Sequence, residues 1–174
     1  MKNLPNLITV TRILFIPLFI VLLVYGHDFY ALGVLAAAGF SDALDGFIAR
    51  TWGFKTKLGA YLDPIADKLL FFSSFITLAV LNMIPEWVTI VIVGRDVLLG
   101  ITGLILLNFI DLHSYQIRPS ILGKMTTVLQ VLTIFVVLIG LKGSLLGIVL
   151  WLTVVATVAS GVHYIYREIS NLRT

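Results

Sequence analysis

Cysteine is absent from all 174 residues, which excludes a disulfide framework and any thiolate metal site. Charge is scarce as well. Asp, Glu, Lys and Arg together make up 12% of the chain, against about a quarter in ordinary globular domains. Hydrophobic residues fill 59% and the mean hydropathy is +1.06, so the composition excludes a soluble globular domain in favour of an integral membrane protein. The net charge of +3 and the pI near 9.3 come from basic residues scattered along connections, with no separate basic domain. That distribution suits anionic lipid headgroups and phosphorylated substrates and excludes nucleic acid as a partner. The opening residues lack the small-residue cleavage site of a secretory signal, so the first apolar stretch is expected to stay as a membrane helix.

Apolar runs of about 20 residues, the length that crosses a bilayer, recur six times, near residues 7–25, 29–51, 58–81, 87–110, 120–141 and 144–166. They are separated by Gly26-His27-Asp28, Trp52-Gly53-Phe54-Lys55, Asn82-Met83-Ile84-Pro85-Glu86, Asp111-Leu112-His113-Ser114 and Lys142-Gly143, all rich in helix-breaking or polar residues. Short breaks make sequential helices antiparallel. The expected fold is one all-α integral membrane domain over residues 1–174, a six-transmembrane-helix bundle with a short N-terminal interfacial segment, Met1 to Asn6. Lys2, Arg12, Arg50, Lys55, Lys57, Arg118, Lys124, Arg167 and Arg173 fall on one side of this arrangement, and Lys142 is the exception on the other. The asymmetry puts both termini on the cytoplasmic face of a multi-pass protein in the cell (inner) membrane. Trp52, Trp87, Tyr164 and Tyr166 read as interfacial anchors. Gly33, Gly39 and the pair Gly143 and Gly147 read as helix-packing positions, and Gln130 and His163 as hydrogen-bond partners between helices.

Against this background four of the nine acidic residues crowd into residues 42–67, as Asp42, Asp45, Asp63 and Asp67. A carboxylate at the centre of a membrane helix costs about 2.5–3.5 kcal/mol on insertion scales. Four together need compensating cations. At about 100° per residue, Asp42, Asp45, Gly46 and Ala49 share an arc of about 100° on the second helix, and Thr56, Gly59, Asp63 and Asp67 one of about 80° on the third. Hard oxygen ligands with no His or Cys nearby favour Mg²⁺ or Mn²⁺, and two divalent cations would cancel the four negative charges and hold a diphosphate. Gly46 and Gly59 clear space for a nucleotide against the backbone. A cation or proton transporter would also carry membrane carboxylates, but spread through the membrane depth or set in inverted repeats. Here they cluster at one side, facing the cytoplasm.

The pattern D-x-x-D-G-x-x-A-R, then eight residues, then G-x-x-x-D-x-x-x-D, is filled at every defined position and resembles the signature of the CDP-alcohol phosphotransferases. The resemblance implies that Asp42, Asp45, Asp63 and Asp67 hold the two metals, and that Asp67 is the catalytic general base. It implies CDP-lipid contacts from Gly46, Arg50 and Thr56, with Ala49 and Gly59 as spacing positions. The opening Asn3-Leu4-Pro5-Asn6-Leu7-Ile8-Thr9-Val10-Thr11-Arg12 and the segment Leu62-Asp63-Pro64-Ile65-Ala66-Asp67-Lys68 look like the bacterial phosphatidylglycerophosphate synthase group. That likeness implies CDP-diacylglycerol and glycerol 3-phosphate as substrates, Asn6 and Thr9 reaching the diphosphate, and a homodimer among membrane lipids. Gly94-Arg95-Asp96 and Gly123-Lys124-Met125-Thr126-Thr127 depart from that group toward cardiolipin synthases, whose acceptor is phosphatidylglycerol. For the phosphate of the acceptor, the cationic candidates are Arg118 and Lys124, with Arg95 deeper in the fourth span.

Overall fold

The computed structural model describes the backbone of residues 4–52, 57–109 and 121–171, and the side chains of residues 13–41, 66, 68–102 and 121–167. Among them every regular element is an α-helix: α1 Leu4–Val24, α2 Asp28–Trp52, α3 Lys57–Val80, α4 Glu86–Phe109, α5 Ile121–Leu138 and α6 Ser144–Asn171. Each coincides with one expected apolar run to within a few residues. One expected feature changes. Helix α1 begins at Leu4, so Pro5 and Asn6 belong to the first helical turn rather than to a separate interfacial segment. A proline so near a helix start sacrifices no hydrogen bond, because the first N–H groups have no intrahelical acceptor.

Glycine sets two of the turns. After α1, Gly26 adopts φ 72, its N–H bonds to Leu23 O at 3.0 Å and that of His27 to Leu22 O at 2.8 Å. Gly140 does the same after α5, with φ 79 and bonds from Gly140 N to Val137 O and from Leu141 N to Val136 O. Both are Schellman caps, which satisfy the last carbonyls of a helix and require a left-handed residue. The second ends α5 at Leu138, earlier than the apolar run suggests. Gly143 also has a positive φ of 76, so it serves the turn into α6 rather than helix packing. At Gly33, Gly39 and Gly147 an added Cβ would meet nothing within 4 Å, and no close helix contact among the described residues uses them.

The chain forms two compact units, Met1–Leu81 and Asn82–Thr174. In the first, α1 packs against both α2 and α3, burying Phe19 and Leu23 of α1, Ala31 and Ala38 of α2, and Ala66, Leu70, Phe75 and Leu78 of α3. In the second, α6 packs against both α4 and α5. Its interior mixes apolar residues such as Ile92, Ile134 and Val154 with an unusual share of hydroxyls. Thr126, Gln130, Thr133, Thr153, Thr157 and Ser160 are buried, while Val128, Leu132 and Phe135 of α5 and Ile148, Leu152, Val155 and Val162 of α6 are exposed. Such an arrangement is stable in hydrocarbon, where apolar side chains gain nothing by turning inward and hydroxyls must find partners. The hydroxyls find them. Thr133 bonds Leu129 O and meets Thr153 at 2.7 Å, Thr153 bonds Val149 O, and Thr157 bonds Thr153 O. Helix α5 and the stretch Ser144–Arg167 are long and apolar enough to cross a membrane, and Ile13–Val24, Asp28–Ser41 and Lys68–Val80 are shorter apolar helical stretches. Trp87 lies against Trp151 with ring centroids 5.3 Å apart, and the Arg167 guanidinium sits 5.7 Å from the Tyr164 ring centroid.

The two kinds of glycine separate experimentally. Gly140→Ala should lower stability by about 1–2 kcal/mol, because a Cβ is disfavoured at left-handed φ. Gly33→Ala, in open space inside α2, should be neutral or stabilising by up to about 1 kcal/mol. Thermal unfolding of detergent-purified protein followed by circular dichroism checks the pair.

Candidate active site

The buried face of each helix in the first unit can be followed toward the end that carries the aspartates. On α2 the buried stripe runs through Ala31 and Ala38. Continued along the helix, Asp42, Asp45 and Ala49 fall within about 40° of Ala38, Gly46 about 80° away and Arg50 about 120° away. On α3 the buried stripe holds Ala66, Leu70, Ser74 and Thr77. Followed back along the same helix, Gly59 and Asp63 fall within about 20° of Leu70, and Asp67 within about 60°. By register alone, the four aspartate positions therefore lie in line with the buried faces of α2 and α3, on the last turns of α2 and the first turns of α3, and their side chains lie outside the described residues.

Helix α1 packs against both of these helices and runs antiparallel to α2 through the tight Gly26 turn, so its N-terminal half lies at the same end. Taking Phe19 as the centre of its buried face, Arg12 lies about 20° away, Thr9 about 80° and Asn6 about 140°. Register alone separates these three positions around the helix, and their side chains lie outside the described residues. Arg12, which the sequence suggested only as a topology charge, is the position nearest in angle to Phe19. Four carboxylate positions with no sulfur or imidazole among them make an all-oxygen donor set, which fits Mg²⁺ or Mn²⁺. Among the described side chains no other group of three or more His, Asp or Glu could hold a metal.

In the second unit Arg95 is the polar centre. Its Nη1 donates to Asp96 Oδ1 at 2.6 Å, with the two side chains only 12% and 2% exposed. Its Nη2 donates to the Ser160 hydroxyl of α6. Glycine makes room for it on two helices: a Cβ at Gly161 would lie 3.4 Å from Arg95 Cγ, and one at Gly123 would lie 3.8 Å from Arg95 Nη2 and from Ser160 Oγ. Lys124, the next residue in the first turn of α5, is exposed. Arg95 and Lys124 therefore belong to one region of the fold, whereas Thr56 and Arg118 lie outside the described residues. Thr126 is buried and bonds Leu122 O at 2.8 Å and Ala156 O at 3.1 Å. Gln130 is buried too, but its Nε2 has no partner, and His163 is exposed, so neither makes the helix-to-helix bond expected of it. Asp96 stood out in the sequence only within Gly94-Arg95-Asp96, and Ser160 carried no motif. Only the packing of α4 on α6 brings Ser160 to Arg95.

Comparison with known proteins identifies the family. The family model for CDP-alcohol phosphatidyltransferase matches residues 2–159. The chain is 34% identical over 179 residues to a probable phosphatidylglycerophosphate synthase of Mycobacterium tuberculosis, covering 98% of this chain and 83% of that protein. It is 36% identical over 175 residues to the CDP-diacylglycerol–glycerol-3-phosphate 3-phosphatidyltransferase of Rickettsia typhi, covering 94% and 96%. A rat cardiolipin synthase (CMP-forming) is 46% identical over a shorter stretch of 99 residues, 56% of this chain and 32% of that one. Both acidic stripes and the Arg95 region fall inside the matched span, and the chain belongs to the CDP-alcohol phosphatidyltransferase family.

Proposed function

We propose that this enzyme transfers the phosphatidyl group of CDP-diacylglycerol to glycerol 3-phosphate, giving phosphatidylglycerophosphate and CMP. What supports the chemistry is the helical spacing of four aspartates, which by register fall in line with the buried faces of α2 and α3. The names borne by the bacterial relatives, which align over nearly the whole chain, support the choice of acceptor. On this reading the six helices all span the cell membrane, residues 1–174 act as one catalytic domain in a homodimer, and the acidic end opens to the cytoplasm.

Asp42, Asp45, Asp63 and Asp67 would hold two divalent cations. When bound, these supply charge neutralisation at the diphosphate. The residues of the chain do the rest. Gly46 and Gly59 leave the backbone open to the cytidine nucleotide, with Ala49 between them as a small residue, and Thr9, Asn6, Arg50 and Thr56 bind the CDP portion. The acceptor hydroxyl attacks the lipid-side phosphorus, a new O–P bond forms, and the anhydride bond to CMP breaks. Asp67 takes the proton of that hydroxyl. Arg118, Lys124 and Arg95 bind the phosphate of glycerol 3-phosphate, whose two negative charges call for cationic donors.

A second reading, cardiolipin synthesis with phosphatidylglycerol as acceptor, is favoured by two observations. One is the rat relative. The other is Thr126, whose buried hydroxyl is bonded to α5 and α6 backbone at a position where the bacterial synthases resembled by the sequence commonly carry a second lysine.

Asp45→Asn or Asp63→Asn should abolish turnover while the protein stays folded, since an amide keeps the volume but is a weaker, uncharged ligand. CMP release with and without chelator, beside a melting curve, checks this, and full turnover in excess chelator would refute the metal site. On topology, a single cysteine replacing Lys55 should react with a thiol reagent from the cytoplasmic side and one replacing Asp28 from the outside. The opposite labelling pattern would place the acidic end away from cytosolic glycerol 3-phosphate. For the acceptor, neutralising Arg118 or Lys124 should raise KM for glycerol 3-phosphate roughly tenfold or more, as loss of a charged hydrogen bond worth about 1.5–3 kcal/mol requires. KM for CDP-diacylglycerol should stay nearly constant. Product formed from phosphatidylglycerol and none from glycerol 3-phosphate would establish the second reading instead.

A further inference from the structure

We infer that Ser160 and Asp96 are positioning residues that hold Arg95 in the orientation in which it binds the acceptor's phosphate, an inference that rests on the phosphate-bearing acceptor proposed above. Arg95 is deeply placed, with 12% of its side chain exposed. A guanidinium has five N–H donors. One Nη1 donor goes to Asp96 and one Nη2 donor to Ser160, while Nε is buried with no acceptor. Each Nη therefore keeps a second hydrogen with no acceptor among the described residues.

As a tie between α4 and α6 alone, this arrangement would be a poor one. A buried ion pair is often no more stable than apolar residues of the same volume, and unspent donors add a desolvation cost. The fold nevertheless prepares space for the arginine, with glycine at 161 against its stem and glycine at 123 against its tip. Gly123 opens the first turn of α5, and the next residue is Lys124, an exposed cation. The two partners of Arg95 constrain different things. Asp96 lies on the same helix and anchors one edge of the guanidinium. Ser160 comes from α6 and fixes the other edge, so together they set the plane in which the remaining Nη hydrogens lie. An anion bound by those hydrogens would meet a fork of fixed direction, the geometry in which arginine recognises phosphate best.

The test compares Ser160→Ala, Ser160→Thr, Ser160→Val and Asp96→Asn in purified protein, with melting temperature, kcat, KM for the acceptor and KM for CDP-diacylglycerol all measured. Threonine keeps the hydroxyl, and valine matches its bulk without it. Acceptor KM should rise roughly tenfold in the alanine and valine variants and in Asp96→Asn. In Ser160→Thr it should stay near the wild-type value, and KM for CDP-diacylglycerol should change less than about twofold throughout. Equal acceptor KM in the threonine and valine variants overturns the inference, as does a parallel rise in both Michaelis constants. Should the valine variant fail to fold, Asp96→Asn decides in its place, because it changes charge and not volume: an unchanged acceptor KM there also overturns the inference. The wild-type acceptor profile is recorded first. Failure of the glycerol 3-phosphate reading appears in that profile, and failure of the positioning role appears in the variants, measured on whichever phosphate-bearing acceptor the wild type consumes.

Discussion

A polar group inside a bilayer has no water to return to, so each polar position on a membrane helix must be aimed at another helix or at its own backbone. This constraint explains both units. In the second, threonines and a serine occupy the interior while leucines, valines and isoleucines cover the outside. In the first, the described buried stripes of α2 and α3 hold alanine, leucine, serine and threonine, and by helical register the four aspartates fall in line with them. A soluble helix could turn such carboxylates to solvent. A membrane helix gains by keeping such groups on a face that other protein covers.

The same constraint separates the residues that carry chemistry from those that carry structure. Thr133 and Thr153 are bonded to backbone within their own helices as well as to each other, so they hold α5 to α6 and have little left to offer a ligand. Arg95 differs in kind. It is charged, nearly buried, held at two points and still has unspent donors. The aspartates differ again, since no arrangement of neutral neighbours could accommodate four of them without cations.

Much of this was legible in the sequence. Long apolar runs broken by Gly26, Asn82 and Gly143 marked all six helices to within a few residues, because in lipid the length and the punctuation of a segment leave few alternatives. The acidic motif was legible because its spacing is that of a helix face. Gly143 and Gly147 look like a packing pair in sequence, and only backbone geometry shows that the first makes a turn. Ser160 could not be found at all by pattern. It lies 65 residues from Arg95, and the contact exists because α4 docks on α6, a matter of tertiary packing that no local window contains.

That separation along the chain also orders assembly. During synthesis, Asp96 emerges together with Arg95, so α4 carries from the start an ion pair whose net charge is zero. The threonines of α5 and α6 bring their own satisfaction with them, since each bonds a carbonyl one turn back in its own helix, and these helices can enter singly. Arg95 alone must wait for a partner from the last helix. The final orientation of its guanidinium is therefore set only once α6 has been made, and a chain ending before α6 would lack the Ser160 hydroxyl that aims this cation.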